Sequence, residues 1–449
     1  MRPISINTLH AKLGDFWFYS LMMFCASRVA DALNVFVGLW LVPKYVNPDE
    51  LGAVMPLSNL AGFLAVPIAV FGSTFRNELS RLAIERKYGQ MKTLLRSVFL
   101  ATAVVLVLAL VVCKLVLPAF LERIRVAEGS LAFLILLSSF LGAVSPIYTY
   151  ALQALKKFKA TSLISLAGAP VRLIAMLVAI PFRPLSGYFV GQSAPSGFSI
   201  LATVVGLRRE FAVSAEPYWT RDVIRRFSRL FLIFLASSLA AGFAVLVEST
   251  VLRQRLPSVE SAAYYMVTRF SDVATFLASA LVFTIFPFSA ELASKGKDTR
   301  PLILKASAAV LGTNAILAAG YALFGRQVLA LLPHGDAYAD FWWAMPWMVG
   351  LSSLGSAMGF YITSETAANR FGYMKWWVGL DLLYPVALLA VTGHGYFDAH
   401  LPGSCARFLT DHNIFSLQTM MLWMTACTII RFCCCIVAMK HQNIMSATK

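Results

Sequence analysis

Apolar runs of twenty residues and more recur along the whole chain, separated by short charged or Pro/Gly-containing stretches. A helix needs about 20 apolar residues to cross a bilayer. The runs give twelve candidate spans, approximately 16–42, 51–74, 94–117, 130–152, 160–181, 185–207, 228–251, 261–288, 302–325, 341–364, 374–393 and 416–438. Twelve crossings consume about 240 of the 449 residues, leaving connections and helix ends but no room for a large extramembrane domain. Composition agrees: 59% of the residues are hydrophobic and 13% charged, against about 25% charged in soluble domains, and mean hydropathy is +0.71. A soluble enzyme is excluded. The expected fold is an all-α polytopic membrane protein of about twelve transmembrane helices in two six-helix lobes, 1–210 and 228–449, joined by a cytoplasmic linker 211–227. That linker lies in the arginine-rich stretch Arg208 to Arg229. Met1 to Asp15 leads into an apolar run of about 27 residues without a small-residue cleavage site, which predicts a retained first span.

The formal net charge of +16 reads as topology. Of the 38 Lys and Arg, 26 fall at the predicted ends and even-numbered loops, counting Arg431, while 9, counting Arg253, fall on the other side. The positive-inside rule then places both termini in the cytoplasm. Aromatic clusters Phe16-Trp17-Phe18-Tyr19, Trp342-Trp343 and Trp376-Trp377 fit interfacial belts. No basic segment is joined to a stacking platform, so no nucleic-acid partner is expected. Nor is a metal or cofactor. The seven cysteines lack ligand spacing, Cys433-Cys434-Cys435 being adjacent, and the outer-loop group His394, Asp398, His400, Cys405, Asp411 and His412 matches no metal motif.

An internal repeat shows at an offset of 213. Phe75-Arg-Asn-Glu78-Leu79 matches Phe288-Ser-Ala-Glu291-Leu292, and Lys157-Phe158 matches Arg370-Phe371. It predicts parallel lobes with a substrate site between them.

Ionisable residues inside spans cost on the order of 3 kcal/mol each, so they face a bundle interior or a cavity. In span 1, Arg28, Asp31 and Asn34 follow at three-residue steps on one helix face, and span 8 repeats the chemistry with Arg269, Asp272, Thr275 and Ser279. Arg172 lies mid-span 5, Glu248 in span 7 and Asp381 in span 11. Arg28, Arg172 and Arg269 would give an interlobe cavity a positive field for a pyrophosphate, which guanidinium matches bidentately. The alternative is internal pairing, Arg28 with Asp31 and Arg269 with Asp272. Asp31, Asn34, Glu248, Asp272 and Asp381 are candidates for cavity pairing or for coupling to H+ or Na+. The basic stretch 76–92, with Leu79, Leu82 and Ala83 on one side, is expected to lie along anionic headgroups.

The layout, the polar first span, the segment Val46-Asn-Pro-Asp-Glu-Leu-Gly52 and the span exits Leu152-Gln-Ala-Leu-Lys-Lys-Phe158 and Phe286-Pro-Phe-Ser-Ala-Glu291 resemble the multidrug/oligosaccharidyl-lipid/polysaccharide (MOP) exporter superfamily, in particular its O-antigen (Wzx-type) flippases. The resemblance implies an undecaprenyl-pyrophosphate-linked oligosaccharide as substrate, alternating access through a cation-lined cavity, a bacterial cytoplasmic membrane, and polysaccharide polymerase or assembly proteins as partners. Arginines in spans 1 and 8 also match the related peptidoglycan-precursor flippases, which carry two further C-terminal spans absent here. Asp31 and Glu248 resemble the lone acids of the drug-exporting branch and leave a cation-coupled multidrug antiporter open. A third class, a polyprenyl-phosphate-dependent membrane glycosyltransferase or polymerase, has only Asp49-Glu50 as an outer acid pair, with outer loops too short for an acceptor site.

Overall fold

The computed structural model describes residues 25, 28–126, 131–295, 297–367, 373–392 and 416–447. Helices dominate and no strand occurs among them. Helix α1 covers 28–36, tightens into a π-helical turn at Val37–Leu41 and continues through Val42–Tyr45. There follow α2 (Val54–Ile84), α3 (Tyr88–Arg123), α4 (Leu131–Ala154), α5 (Phe158–Ala179), α6 (Pro184–Gly206), α7 (Arg221–Arg255), α8 (Ser258–Ser294), α9 (Arg300–Ala330), α10 (Ala344–Ala367), α11 (Met374–Thr392) and α12 (Leu417–Ala447). Among the described residues seven helices are long and apolar enough to cross a membrane, on α2, α3, α4, α5, α7, α9 and α12. On α3, Val104, Val107, Leu108, Val111 and Leu115 form an exposed apolar surface that water would penalise and lipid accepts.

The chain forms two compact units, unit 1 being residues 1–37 and 60–239 and unit 2 being 38–59 and 240–449. The segment 38–59 therefore packs with the C-terminal half of the sequence. The arginine-rich stretch is helical from Arg221, seven residues ahead of the predicted span, and Thr220 Oγ1 accepts from the Val223 amide in its first turn.

Unit 1 is built around Phe75, Leu79, Leu82, Met91, Leu94, Val144, Ile147 and Leu152. Leu79 and Leu82 are fully buried, so the stretch expected to lie on headgroups instead carries the end of α2 into this core. The exits of α2, α3 and α4 share one device. Arg86, Arg125 and Lys156 adopt positive φ, and the next amides, Lys87, Val126 and Lys157, donate five residues back to Leu82, Leu121 and Leu152 carbonyls at 2.9 Å. These are Schellman caps with a cation where glycine is usual, so favourable charge at the helix C-terminus offsets left-handed strain. Helices α5 and α6 approach closely because Gly187 and Gly191 lack side chains. A Cβ on Gly187 would stand 2.5 Å from backbone atoms of Ala179 and Ile180, and one on Gly191 would collide with Met176 Cγ.

The segment after α6 is fastened to the same unit. Lys92 Nζ donates to the Phe211 and Val213 carbonyls at 2.8 and 3.0 Å, Thr93 Oγ1 to Glu216 O at 2.6 Å, and Lys157 pairs with Glu210 at 2.7 Å. Burial raises the Glu210 carboxyl, but the hydrogen bond and charge of Lys157, with its own backbone N–H and the charge of Arg209, outweigh it and hold its pKa below the ordinary value.

In unit 2 the segment Val46 to Gly52 is a packing element. Arg253, counted by sequence among the outer loop cations, lies in the last turn of α7 at 2% exposure and donates to the Asp49 carbonyl at 2.6 Å. A long cation near a helix end finds backbone acceptors, so it does not face water. A Cβ at Gly52 would sit 2.5 Å from Ser261 Oγ, which explains the glycine of the motif. Asn314 of α9 donates to Ser353 Oγ on α10 at 2.8 Å and to Ala274 O on α8 at 3.2 Å, and Trp347 on α10 donates to Thr425 on α12 at 2.6 Å. In lipid, where helices gain little from hydrophobic association, such polar contacts fix their pairing.

Candidate functional site

Unit 1 holds an open cavity of about 520 Å³, within the range of small-molecule sites. Helix α1 contributes Ala30, Asp31 and Asn34, whose three-residue steps put the two polar groups on one face. Helix α4 contributes Ser145, Thr149 and Tyr150, α5 contributes Thr161, Ser165 and Arg172, and α6 contributes Gln192, Ser196 and Ser199. Each of α4, α5 and α6 carries an internal proline, Pro146, Pro170 and Pro195, and Pro146 and Pro195 line the cavity themselves. Each proline removes one intrahelical hydrogen bond and so breaks the backbone ladder of its helix. Gly168 and Ala169 leave further room on α5.

The charged groups are held in place by named contacts. Arg172 Nη1 donates to Asn34 Oδ1 at 2.6 Å, joining helices 138 residues apart in sequence. Arg28 Nη2 pairs with Asp31 Oδ2 at 3.1 Å. Thr149 and Ser199 hydroxyls meet at 3.3 Å, and Gln192 Nε2 donates to Tyr188 Oη at 2.8 Å.

Unit 2 carries a second cluster. Glu248 accepts from Tyr264 Oη at 2.8 Å and from Tyr384 Oη at 2.6 Å. The Tyr384 ring lies under the Arg431 guanidinium, 5.3 Å from its centroid, and Arg431 Nη2 pairs with Asp381 Oδ1 at 2.7 Å. Arg269 pairs with Asp272 at 2.9 Å and stacks over Tyr265 at 5.2 Å.

Of the predicted site residues, Asp31, Asn34 and Arg172 come together on one cavity, with Arg28 attached through Asp31. Arg269 and Asp272 pair with each other in unit 2, and Arg28 and Asp31 pair in unit 1. Glu248 and Asp381 belong to one chain of contacts through Tyr384 and Arg431. Sequence position groups Arg431 with the cytoplasmic cations. It is instead an intrahelical residue of α12 that forms an ion pair with Asp381, because a buried acid attracts the nearest guanidinium. An arginine inside a predicted span was the available signal. The tyrosines at 264 and 384, and the hydroxyls of α4 and α6, carried none, since such residues are common in spans. The outer-loop group His394 to His412, the Arg370-Phe371 half of the repeat and the first cluster of aromatics lie outside the described residues.

No family model and no curated protein matches the chain. Solved structures do. A Vibrio cholerae MATE transporter, VcmN, in a mutant form, superposes with TM-score 0.62 at 14% identity, covering 98% of each chain. An inward-facing multidrug resistance MATE family transporter of the MOP superfamily gives 0.58 at 13% identity over 94% of this chain and 96% of that one. The lipid II flippase MurJ, in an inward closed conformation, gives 0.60 at 13% identity over 94% and 87%. At these identities the likeness is one of fold. The chain has the all-helical fold that MATE transporters of the MOP superfamily share with the lipid II flippase.

Proposed function

We propose that the chain is a flippase that moves a polyprenyl-pyrophosphate-linked oligosaccharide across the bacterial cytoplasmic membrane by alternating access, for O-antigen or exopolysaccharide synthesis. One observation carries the reading: the 520 Å³ cavity of unit 1 has a polar wall that includes Arg172, inside a fold that a lipid II flippase also adopts. A polar cavity within an apolar bundle offers a sugar-bearing headgroup a path that hydrocarbon denies, while the polyprenyl tail stays in lipid. Downstream polymerase or assembly proteins would consume the product. The Glu248 and Asp381 cluster of unit 2 is the candidate for coupling to H+ or Na+.

The test is complementation of bacteria lacking their O-antigen flippase, scored by surface polysaccharide. Restored polysaccharide that Arg172→Ala abolishes at unchanged protein level supports the assignment. A second reading, a cation-coupled multidrug antiporter, is favoured by Asp31 in the same wall and by the MATE fold. Gradient-dependent drug resistance lost on Asp31→Asn, with no polysaccharide, would replace the flippase by it.

A further inference from the structure

The wall of the unit 1 cavity is unusual in its proportions. Of its 17 described lining residues seven bear hydroxyls and two are primary amides, whereas one is a guanidinium and one a carboxylate. Among the described lining residues the formal charges balance, Arg172 against Asp31, and Tyr150 supplies the one aromatic ring. A pyrophosphate needs several cations, and a hydrophobic cation needs unbalanced acids or an aromatic cage. Neither set is present among the described lining residues. Hydroxyls and amides both donate and accept, which is the code that a sugar ring presents in return.

From this we infer that the cavity is a glycan subsite, taking a neutral hexose ring of the lipid-linked oligosaccharide while the pyrophosphate binds outside it. The inference rests on the flippase reading and specifies which part of that substrate this cavity holds. Opposite walls contribute. Thr149 and Ser199, already in contact at 3.3 Å, present a hydroxyl pair from α4 and α6. Gln192 spends one amide donor on Tyr188, and Tyr188 is buried, so the amide is fixed in orientation with its carbonyl and second N–H available. On the α1 side, Asn34 is oriented by Arg172 and Asp31 by Arg28, giving a carboxylate and an amide that are positioned before a ligand arrives. Preorganised polar groups of this kind discriminate strongly against a ligand lacking the matching hydroxyl, because they are then left unpaired.

The experiment uses the full chain in lipid nanodiscs and measures equilibrium binding of farnesyl diphosphate and of farnesyl diphosphates carrying glucose, galactose, N-acetylglucosamine or N-acetylgalactosamine. A glycosylated probe is expected to bind at least about tenfold tighter than the sugar-free one, and each neutral hydrogen bond removed lowers that ratio by about fivefold. Gln192→Leu and Ser199→Ala are the variants. The second removes only a half-buried hydroxyl and keeps the result independent of Gln192's support for Tyr188. A ratio near one for every sugar, or a ratio that neither substitution lowers, overturns the subsite while leaving a diphosphate-binding flippase standing. Failure of every probe, glycosylated or not, sinks the flippase assignment itself.

Discussion

Replacing Asp381 by alanine isolates the ion pair between α11 and α12. The carboxylate is 3% exposed, the Arg431 guanidinium 22%, and their separation is 2.7 Å, so removing the acid leaves a largely buried cation over the Tyr384 ring. Breaking a buried pair from one side costs roughly 3 kcal/mol or more. A cooperative block the size of unit 2 loses about 2–4 °C of Tm per kcal/mol, which gives a fall of about 6–12 °C. The assay is thermal unfolding of the purified chain in detergent, run as a double-mutant cycle with Arg431→Met. Replacing both members of a buried pair by apolar groups is often near neutral, so the double variant is expected to recover most of the loss. Two single losses that simply add in the double variant would refute the view that these helices are joined through this pair.

Helix packing, capping and the segment after α6 each give a further expected outcome. Gly187→Ala places a Cβ against backbone at 2.5 Å and is expected to cost about 1–3 kcal/mol with no compensating change. Gly191→Ala meets the flexible Met176 side chain, so Met176→Ala should restore it, both read by melting temperature. Lys156→Gly relieves a left-handed φ of 57° and is expected to raise stability by up to about 1 kcal/mol in chemical denaturation, less the lost helix-terminal charge. For Glu210 the folded pKa lies below the ordinary value of 4.5, so the hold of Lys157 on the segment after α6 is full above that value. It is lost as pH falls through the lowered folded pKa. Hydrogen exchange at 208–219 should rise over that acid window in the natural chain, and Glu210→Gln should show raised exchange with no such pH dependence.

Much of this architecture was legible in the amino-acid order. Apolar run length specified the helices because a bilayer sets the length a helix needs, and three-residue spacing alone put Arg28 beside Asp31 and Arg269 beside Asp272. Boundaries at polar ends were less legible. The arginines from 221 onward read as linker, yet they continue α7, since a helix projecting past the hydrocarbon keeps its hydrogen bonds and lets its cations reach water. Likewise Leu79 and Leu82 showed an apolar side but not what would cover it, and Met91 and Leu94 of α3 do.

Partners between helices were decided by the tertiary structure alone. Arg172 could have met any acid or amide, and it meets Asn34 because α1 and α5 border one cavity. Glu248 finds Tyr384, 136 residues away, and Asp381 finds an arginine that sequence position assigns to the water-facing side. A span is defined by its average hydropathy, a one-dimensional quantity that local sequence contains. Which polar side chains share a cavity depends on helix rotation and neighbour choice, and those are fixed only when all the helices pack and every buried charge must find its counterpart.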